Sequence, residues 1–256
     1  MQRLEQPRQA RTTLATPPRL ATFSICGRCS RTGQLGVAIA TRFLAVGALA
    51  PKARAGIGAV STQAYVNPYH GYWMMEGMAG GLSAEAAVAA SLARDPRPDL
   101  RQLLAVDASG RSAAHTGENC DTWRGHRLGP NFGAGGNMLS GPAVVDALVE
   151  TFTATEGEGL PLAERLLRCI EAGEAAGGDK RGKQSAALLV VEREDYPLID
   201  LRVDDHGEPV AELRRIYGIY LRDYADILRA LPTRANPAGS RGPAARPAGT
   251  DGPASG

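Results

Sequence analysis

The densest cluster of side chains able to grip a charged ligand is the run GGDKRGKQS at 177–185, which packs Asp179, Lys180, Arg181, Lys183 and Gln184 into a glycine-bounded loop before an apolar segment. Charged groups on a loop held by a rigid strand suit substrate recognition, and the forked guanidinium of Arg181 is built to take a carboxylate. A solvated loop is the alternative reading of Asp179, Arg181 and Gln184. Asn137, in the glycine-rich GGNM segment, carries a side-chain amide with two donors, and its glycine neighbours allow a ligand close to the backbone. Its bland reading is a turn stabiliser. His115, Cys120 and His126 have the chemistry of metal ligands, yet their spacing matches no compact zinc motif and no fourth ligand is evident. In the Asp204-Asp205-His206 run the adjacent carboxylates point different ways, which favours a salt bridge or pocket wall over a metal site. The expectation is therefore no metal and no cofactor. Cys26 and Cys29 form a CGRC pair, but a redox motif belongs at a strand-to-helix junction, and here a turn and a second strand follow.

The elements that must position these groups read as hairpins and helix pairs in alternation. TFSICG alternates Phe23 and Ile25 against Thr22 and Ser24, and after the turn SRTGQ comes the apolar run LGVAIAT, a hairpin. A third strand, GIGAVST at 56–62, follows a proline-containing link and leads into a partly helical segment through residue 80. Ser83 is placed to cap a helix over SAEAAVAASLAR. QLLAVD and SAAHT, joined by ASGR, form another hairpin, and residues 117–139 read as irregular. Val144, Val145, Leu148, Val149 and Phe152, then Leu162, Leu166, Leu167 and Ile170, fall at helical spacing. SAALLVV and LIDLRV make a last hairpin before a helix from Pro209. This alternation predicts an α+β fold, a four-layer αββα sandwich of two stacked antiparallel sheets with helices outside. No internal repeat is evident.

Composition narrows the function classes. Of the 256 residues, 43% are hydrophobic and 22% charged, as in a folded globular protein, and the net charge is only +2. The positive charge is concentrated in proline- and glycine-rich ends, residues 1–20 and 233–256, so a nucleic-acid-binding face is not expected. No apolar run is long enough to span a bilayer, and the first twenty residues lack a signal-peptide core. Four scattered cysteines argue against a disulfide framework and for a cytoplasmic location. The expected organisation is a disordered or removable extension over 1–21, a folded domain over 22–230 and a disordered tail over 231–256. Sheet edges of this kind are often covered by homo-oligomers, so a homodimer is an expectation.

Seven blocks carry a resemblance: TFSI at 22–25, ARAGIGAVSTQ at 53–63, NPYHG at 67–71, AAHTG at 113–117, GNMLSGP at 136–142, GGDKRGKQSAALLVV at 177–191 and VDDH at 203–206. In these the chain resembles the DUF1028 family, a domain of unknown function with an N-terminal-nucleophile (Ntn) hydrolase fold. The resemblance covers roughly residues 22–220. It implies an amidohydrolase in which the Thr22 hydroxyl attacks the carbonyl of a small-molecule amide and passes through an acyl-ester, the residue's own freed α-amine serving as base. Because Ala21 precedes Thr22, such a reaction requires cleavage of the bond between them. The resemblance further places Arg54 as a cationic group beside the threonine, with Lys52 a weaker candidate. An amide hydrolase needs oxyanion donors: a backbone amide of Thr62 or Gln63, at the end of the third strand, or the side chain of Asn137. A binding or scaffold protein that keeps the fold without using the threonine is the rival reading.

Overall fold

A computed structural model describes residues 19–20 and 22–240. The rest of the expected leader, and the expected tail from residue 241 onward, lie outside the described residues. The eleven strands among them are β1 (Arg19–Leu20), β2 (Thr22–Arg28), β3 (Leu35–Thr41), β4 (Pro51–Arg54), β5 (Gly58–Tyr65), β6 (Arg101–Asp107), β7 (Ser112–Thr116), β8 (Gly125–Gly129), β9 (Phe132–Asn137), β10 (Ser185–Val191) and β11 (Ile199–Val203). The helices are α1 (Val46–Leu49), α2 (Tyr69–Ala79), α3 (Ala84–Leu92), α4 (Ala143–Ala154), α5 (Leu162–Ala175), α6 (Pro209–Ile219) and α7 (Ala225–Arg229), with a π-helical turn joining the last two.

The strands form two antiparallel sheets. One has six strands in the order β11-β10-β3-β2-β9-β8; the other runs β1-β5-β6-β7, with β4 sharing with β1 the same edge of β5. The expected α+β sandwich of two antiparallel sheets with helices is what the chain adopts. Period-2 alternation explains the stacking. Phe23, Ile25, Ala38 and Ala40 turn outward and pack with Leu148, Phe152, Leu166 and Ile170 of α4 and α5. Cys26, Val37, Ala59, Leu104 and Val106 turn inward and fill the space between the sheets. On the other side Val60, Leu103 and Ala105 meet Met74, Met78 and Val88 of α2 and α3. The cap on α3 is as read, with Ser83 Oγ accepting from Ala86 N at 3.1 Å.

Several elements differ from the sequence reading, among them β1, at the end of the expected extension, and the short α1. Residues 117–139 hold the β8–β9 hairpin, and the GGNM segment is the end of a strand instead of a turn. FGAGGN gives no alternation because its small residues face close neighbours: a Cβ at Gly136 would lie 2.8 Å from the carbonyl oxygen of Thr22. The proline-containing link before the third strand is itself β4. All four cysteines are free and buried. Cys26, in β2, faces the inter-sheet core, and Cys29, just past its end, faces the helical side, so the CGRC thiols lie on opposite faces of the sheet. Burial pushes the Cys120 thiol up to about 11 and that of Cys169 up to about 12, and Cys26 higher still.

Candidate active site

Strand register brings Ser185, Thr41, Thr22 and Asn137 into one row across β10, β3, β2 and β9 at one end of the six-stranded sheet. Opposed residues on neighbouring strands share a face, and this face is the inner one, because Ser24, two residues beyond Thr22, reaches into the other sheet. Its Oγ donates to Gln63 Oε1 at 2.8 Å and lies 3.2 Å from Ser61 Oγ. The Thr22 hydroxyl is 3.3 Å from that of Thr41. Thr22, Ser24, Ser61, Gln63 and Gln102 are fully buried, and Asn137 and Thr41 nearly so.

Gln102, on β6, ties the row to the opposite sheet. Its Oε1 accepts from Gln63 Nε2 at 2.8 Å and from Asn137 Nδ2 at 3.0 Å. Its Nε2 turns two N–H donors toward three acceptors, Gly136 O at 2.8 Å, Thr116 Oγ1 at 3.0 Å and Gly125 O at 3.1 Å, so one donor is shared. A buried polar network satisfied in this way is rigid, since breaking any link strands a desolvated partner. Backbone strain flanks it: Ala64, next to Gln63, has φ 67°, and Met138, next to Asn137, has φ 52°. Left-handed conformations are costly for non-glycine residues and recur where a site over-determines the backbone.

A second cluster fixes the far end of β5 and accounts for the NPYHG block. Asp95, only 1% exposed at its side chain, accepts from Arg101 Nε at 2.7 Å, Arg97 N at 2.8 Å and Asn67 Nδ2 at 3.1 Å, and lies 2.7 Å from His70 Nε2. His70 Nδ1 is 2.5 Å from Ser91 Oγ on α3, and Arg101 also reaches Tyr65 O. Burial alone would raise the Asp95 carboxyl, but the hydrogen bonds from Arg101, Arg97, Asn67 and His70 overcome it and hold the group well below the usual carboxylate range. Burial lowers the His70 imidazole against the pull of Asp95, so this ring stays neutral. Although it joins a serine, a histidine and an aspartate, the string is sealed, with Ser91 1% exposed on a helix. Its work is to clamp β5 to α2 and α3.

The loop 177–184 packs over the end of the row. Gln184 N donates to Thr41 O at 3.0 Å, Leu139 pairs with Asp179, and Arg42 N donates to Asp179 Oδ2 at 2.9 Å. Arg181 forks onto the same carboxylate at 2.9 and 3.2 Å and donates to Arg42 O at 3.1 Å. Asp179 is thus a buried anchor for the loop. Gln184 turns its amide to Asp205 on the surface, at 3.1 Å. Asp179→Ala is expected to cost about 1–3 kcal/mol by stranding the Arg42 amide and loosening the loop, read as a fall in melting temperature.

Other sequence candidates are not gathered here. Arg54 is exposed at the end of β4, opposite Gly58. Because β4 runs antiparallel to β5, its last residue is carried away from Ser61 and Gln63 by three to five strand positions, roughly 10–17 Å. Lys52 sits over the Tyr72 ring, 4.3 Å from its centroid. The Thr62 amide already donates to Ala50 O at 3.1 Å, whereas the Gln63 and Asn137 side chains lie within the network. His115 Nε2 contacts Pro98 O at 2.8 Å, His126 Nδ1 contacts Thr116 Oγ1 at 2.9 Å, and Cys120 donates to Arg101 O at 3.4 Å. Among the described residues no three His, Cys, Asp or Glu converge as metal ligands, and no helix is long and apolar enough to cross a membrane. Sequence reading missed Thr41, Ser24, Ser61 and Gln102; the available signal was polar residues two apart, 22 with 24 and 61 with 63, at the starts or ends of otherwise apolar strands.

Two antiparallel sheets packed face to face beneath outer helices, with hydroxyls and amides aligned at one end, define an α+β sandwich protein. The chain belongs to the family of unknown function DUF1028, whose model matches residues 22–213 and so opens on Thr22. It is similar to protein SPO2555 from Silicibacter pomeroyi, a crystal structure described by the same family model. The two share 31% identity over 86% of this chain and 99% of that one, with a TM-score of 0.79. No curated protein matches.

Proposed function

We propose that this chain is an Ntn hydrolase, an amidohydrolase whose nucleophile is the hydroxyl of Thr22 once residues 1–21 are removed. The observation that supports it best is the position of Thr22: it begins both a central strand and the family match, within a row of buried hydroxyl and amide groups. In this reading Thr22 Oγ1 attacks the carbonyl of residue 21. The C–N bond breaks as the acyl group moves to oxygen, the amine is freed, and water hydrolyses the ester to release the leader as a carboxylic acid. On a substrate the free α-amine, whose ordinary pKa is about 7.7–8.0, takes the hydroxyl proton as Oγ1 attacks the amide carbon. The proton passes to the departing amine, and water then resolves the acyl-ester. Of its two N–H donors the Asn137 side chain commits one to Gln102, leaving the other for an oxyanion. Asp179 and Arg181 would shape the mouth of the site.

The test is the intact mass and N-terminal sequence of the purified protein. A chain beginning at Thr22 is expected, and its hydrolysis of amides should rise with pH as the amine loses its proton, levelling off above about pH 8. A chain that keeps residues 1–21 and has no activity would instead favour the binding-protein reading.

A further inference from the structure

The five-stranded sheet has a divided edge. β4 covers β5 from Gly58 to Ser61, with Arg54 opposite Gly58 and Pro51 opposite Ser61. Beyond Thr62, whose amide is met by Ala50 O at 3.1 Å, the edge of β5 passes to a different segment. Arg19 and Leu20 pair antiparallel with Tyr65 and Ala64 there. Two residues after Leu20, the chain is in the other sheet as Thr22, opposite Thr41 and Asn137. Arg19 and Leu20 are therefore held as an added strand on one sheet, two residues before the chain enters the other sheet at Thr22.

From this pairing we propose that the Ala64–Tyr65 edge of β5 is a strand-addition site for an extended peptide, occupied in this chain by its own residues 19–20. The proposal rests on the hydrolase reading only in assigning the occupant a fate. There it makes the substrate an extended peptide and not a compact amide: the second and third residues before the scissile bond pair with Ala64 and Tyr65, as Leu20 and Arg19 do. Main-chain hydrogen bonds along a sheet edge supply affinity with little dependence on side-chain identity. The left-handed Ala64, φ 67°, stands where the edge meets Leu20.

The probe is a fluorescein-labelled peptide of residues 14–21, LATPPRLA, read by fluorescence anisotropy. It is added to two full-length chains in a Thr22→Ala background, checked by mass to retain the leader. One is otherwise unchanged; the other carries Arg19→Pro and Leu20→Pro, which remove both backbone donors whichever pair is bonded. The edge should open in the proline variant, so the peptide should bind it at least tenfold more tightly than the parent, and N-methylation at the arginine and second leucine of the peptide should abolish the gain. Hydrogen exchange should show Ala64 and Tyr65 more exposed in the variant and protected again by peptide. Equal binding to both chains, or binding indifferent to N-methylation, would overturn the proposal. Binding needs no Thr22 hydroxyl, so a positive result beside an inactive wild type would retire the hydrolase reading alone.

Discussion

Thr22→Ala is expected to leave residues 1–21 attached and to lower turnover by about 10⁴-fold or more, the scale on which removal of a nucleophile acts when binding and oxyanion donors remain. The substitution deletes a hydroxyl whose side-chain hydrogen bond is a long one, to Thr41 Oγ1 at 3.3 Å. Stability should change little beside that loss, and an unaltered melting curve would show that the fold survives. Thr22→Ser keeps an oxygen at the same place and should retain processing at a reduced rate. Mass spectrometry of the three chains checks the first part, and release of amine from an amide panel the second. Cleavage in the alanine variant at the same bond would assign processing to another protease, and undiminished turnover would remove Thr22 from the chemistry.

The second large effect concerns stability. Asp95→Ala takes the shared acceptor from Arg101, His70 and Asn67 and leaves the Arg101 guanidinium, 11% exposed, without its carboxylate. Removing one partner of a buried pair typically costs about 3–5 kcal/mol. For a chain of this size that lowers the melting temperature by roughly 6–20 °C. Asp99→Ala, which breaks an exposed pair with Arg97 and an exposed hydrogen bond from Asn119 Nδ2, is the control and should move the melting temperature far less. The wild type carries the same dependence in its pH profile. A carboxyl held low in the folded state stabilises above its unfolded pKa, near 4, and that contribution drains away as pH falls. A histidine held neutral works in the same direction, from about pH 6.5 downward. Acid denaturation should therefore begin earlier in pH for the wild type than its net charge alone would set, and Asp95→Ala should flatten the lower part of the profile. An unchanged midpoint in Asp95→Ala would show that the cluster is not a clamp.

The layered fold was legible because hairpins and amphipathic helices obey simple periods. Phe23 and Ile25 against Thr22 and Ser24 announce a half-polar inner face, and Leu148 with Phe152 announces a helix packed on one side. The β9 strand was not legible, since FGAGGN lacks alternation for a tertiary reason: glycines 133, 135 and 136 admit neighbouring backbone and side chains that no local rule foresees. Pro51 similarly disguised an edge strand as a link, an edge being where proline is tolerated. At the site, Thr22, the backbone amide of Gln63 and the side chain of Asn137 were named from sequence, but the side-chain network that joins them was not. Gln102 reads as an ordinary polar residue before an apolar run, and only register sets it opposite Gln63 and within reach of Asn137. Arg54 lies apart from this row for the opposite reason. Closeness in sequence to β5 says nothing about closeness to Thr22 when the intervening strand runs antiparallel.

The four cysteines give the molecule a recorder of its own opening. Cys26 lies between the sheets, Cys29 and Cys169 under the helices of the six-stranded side, and Cys120 at the end of the other sheet. Each of these residues is buried in the folded chain, and a charged thiol reagent can modify one only after its surroundings open. The order in which the four acquire the reagent is therefore a chronology of unfolding, written in mass increments and readable by peptide mapping without a single engineered residue.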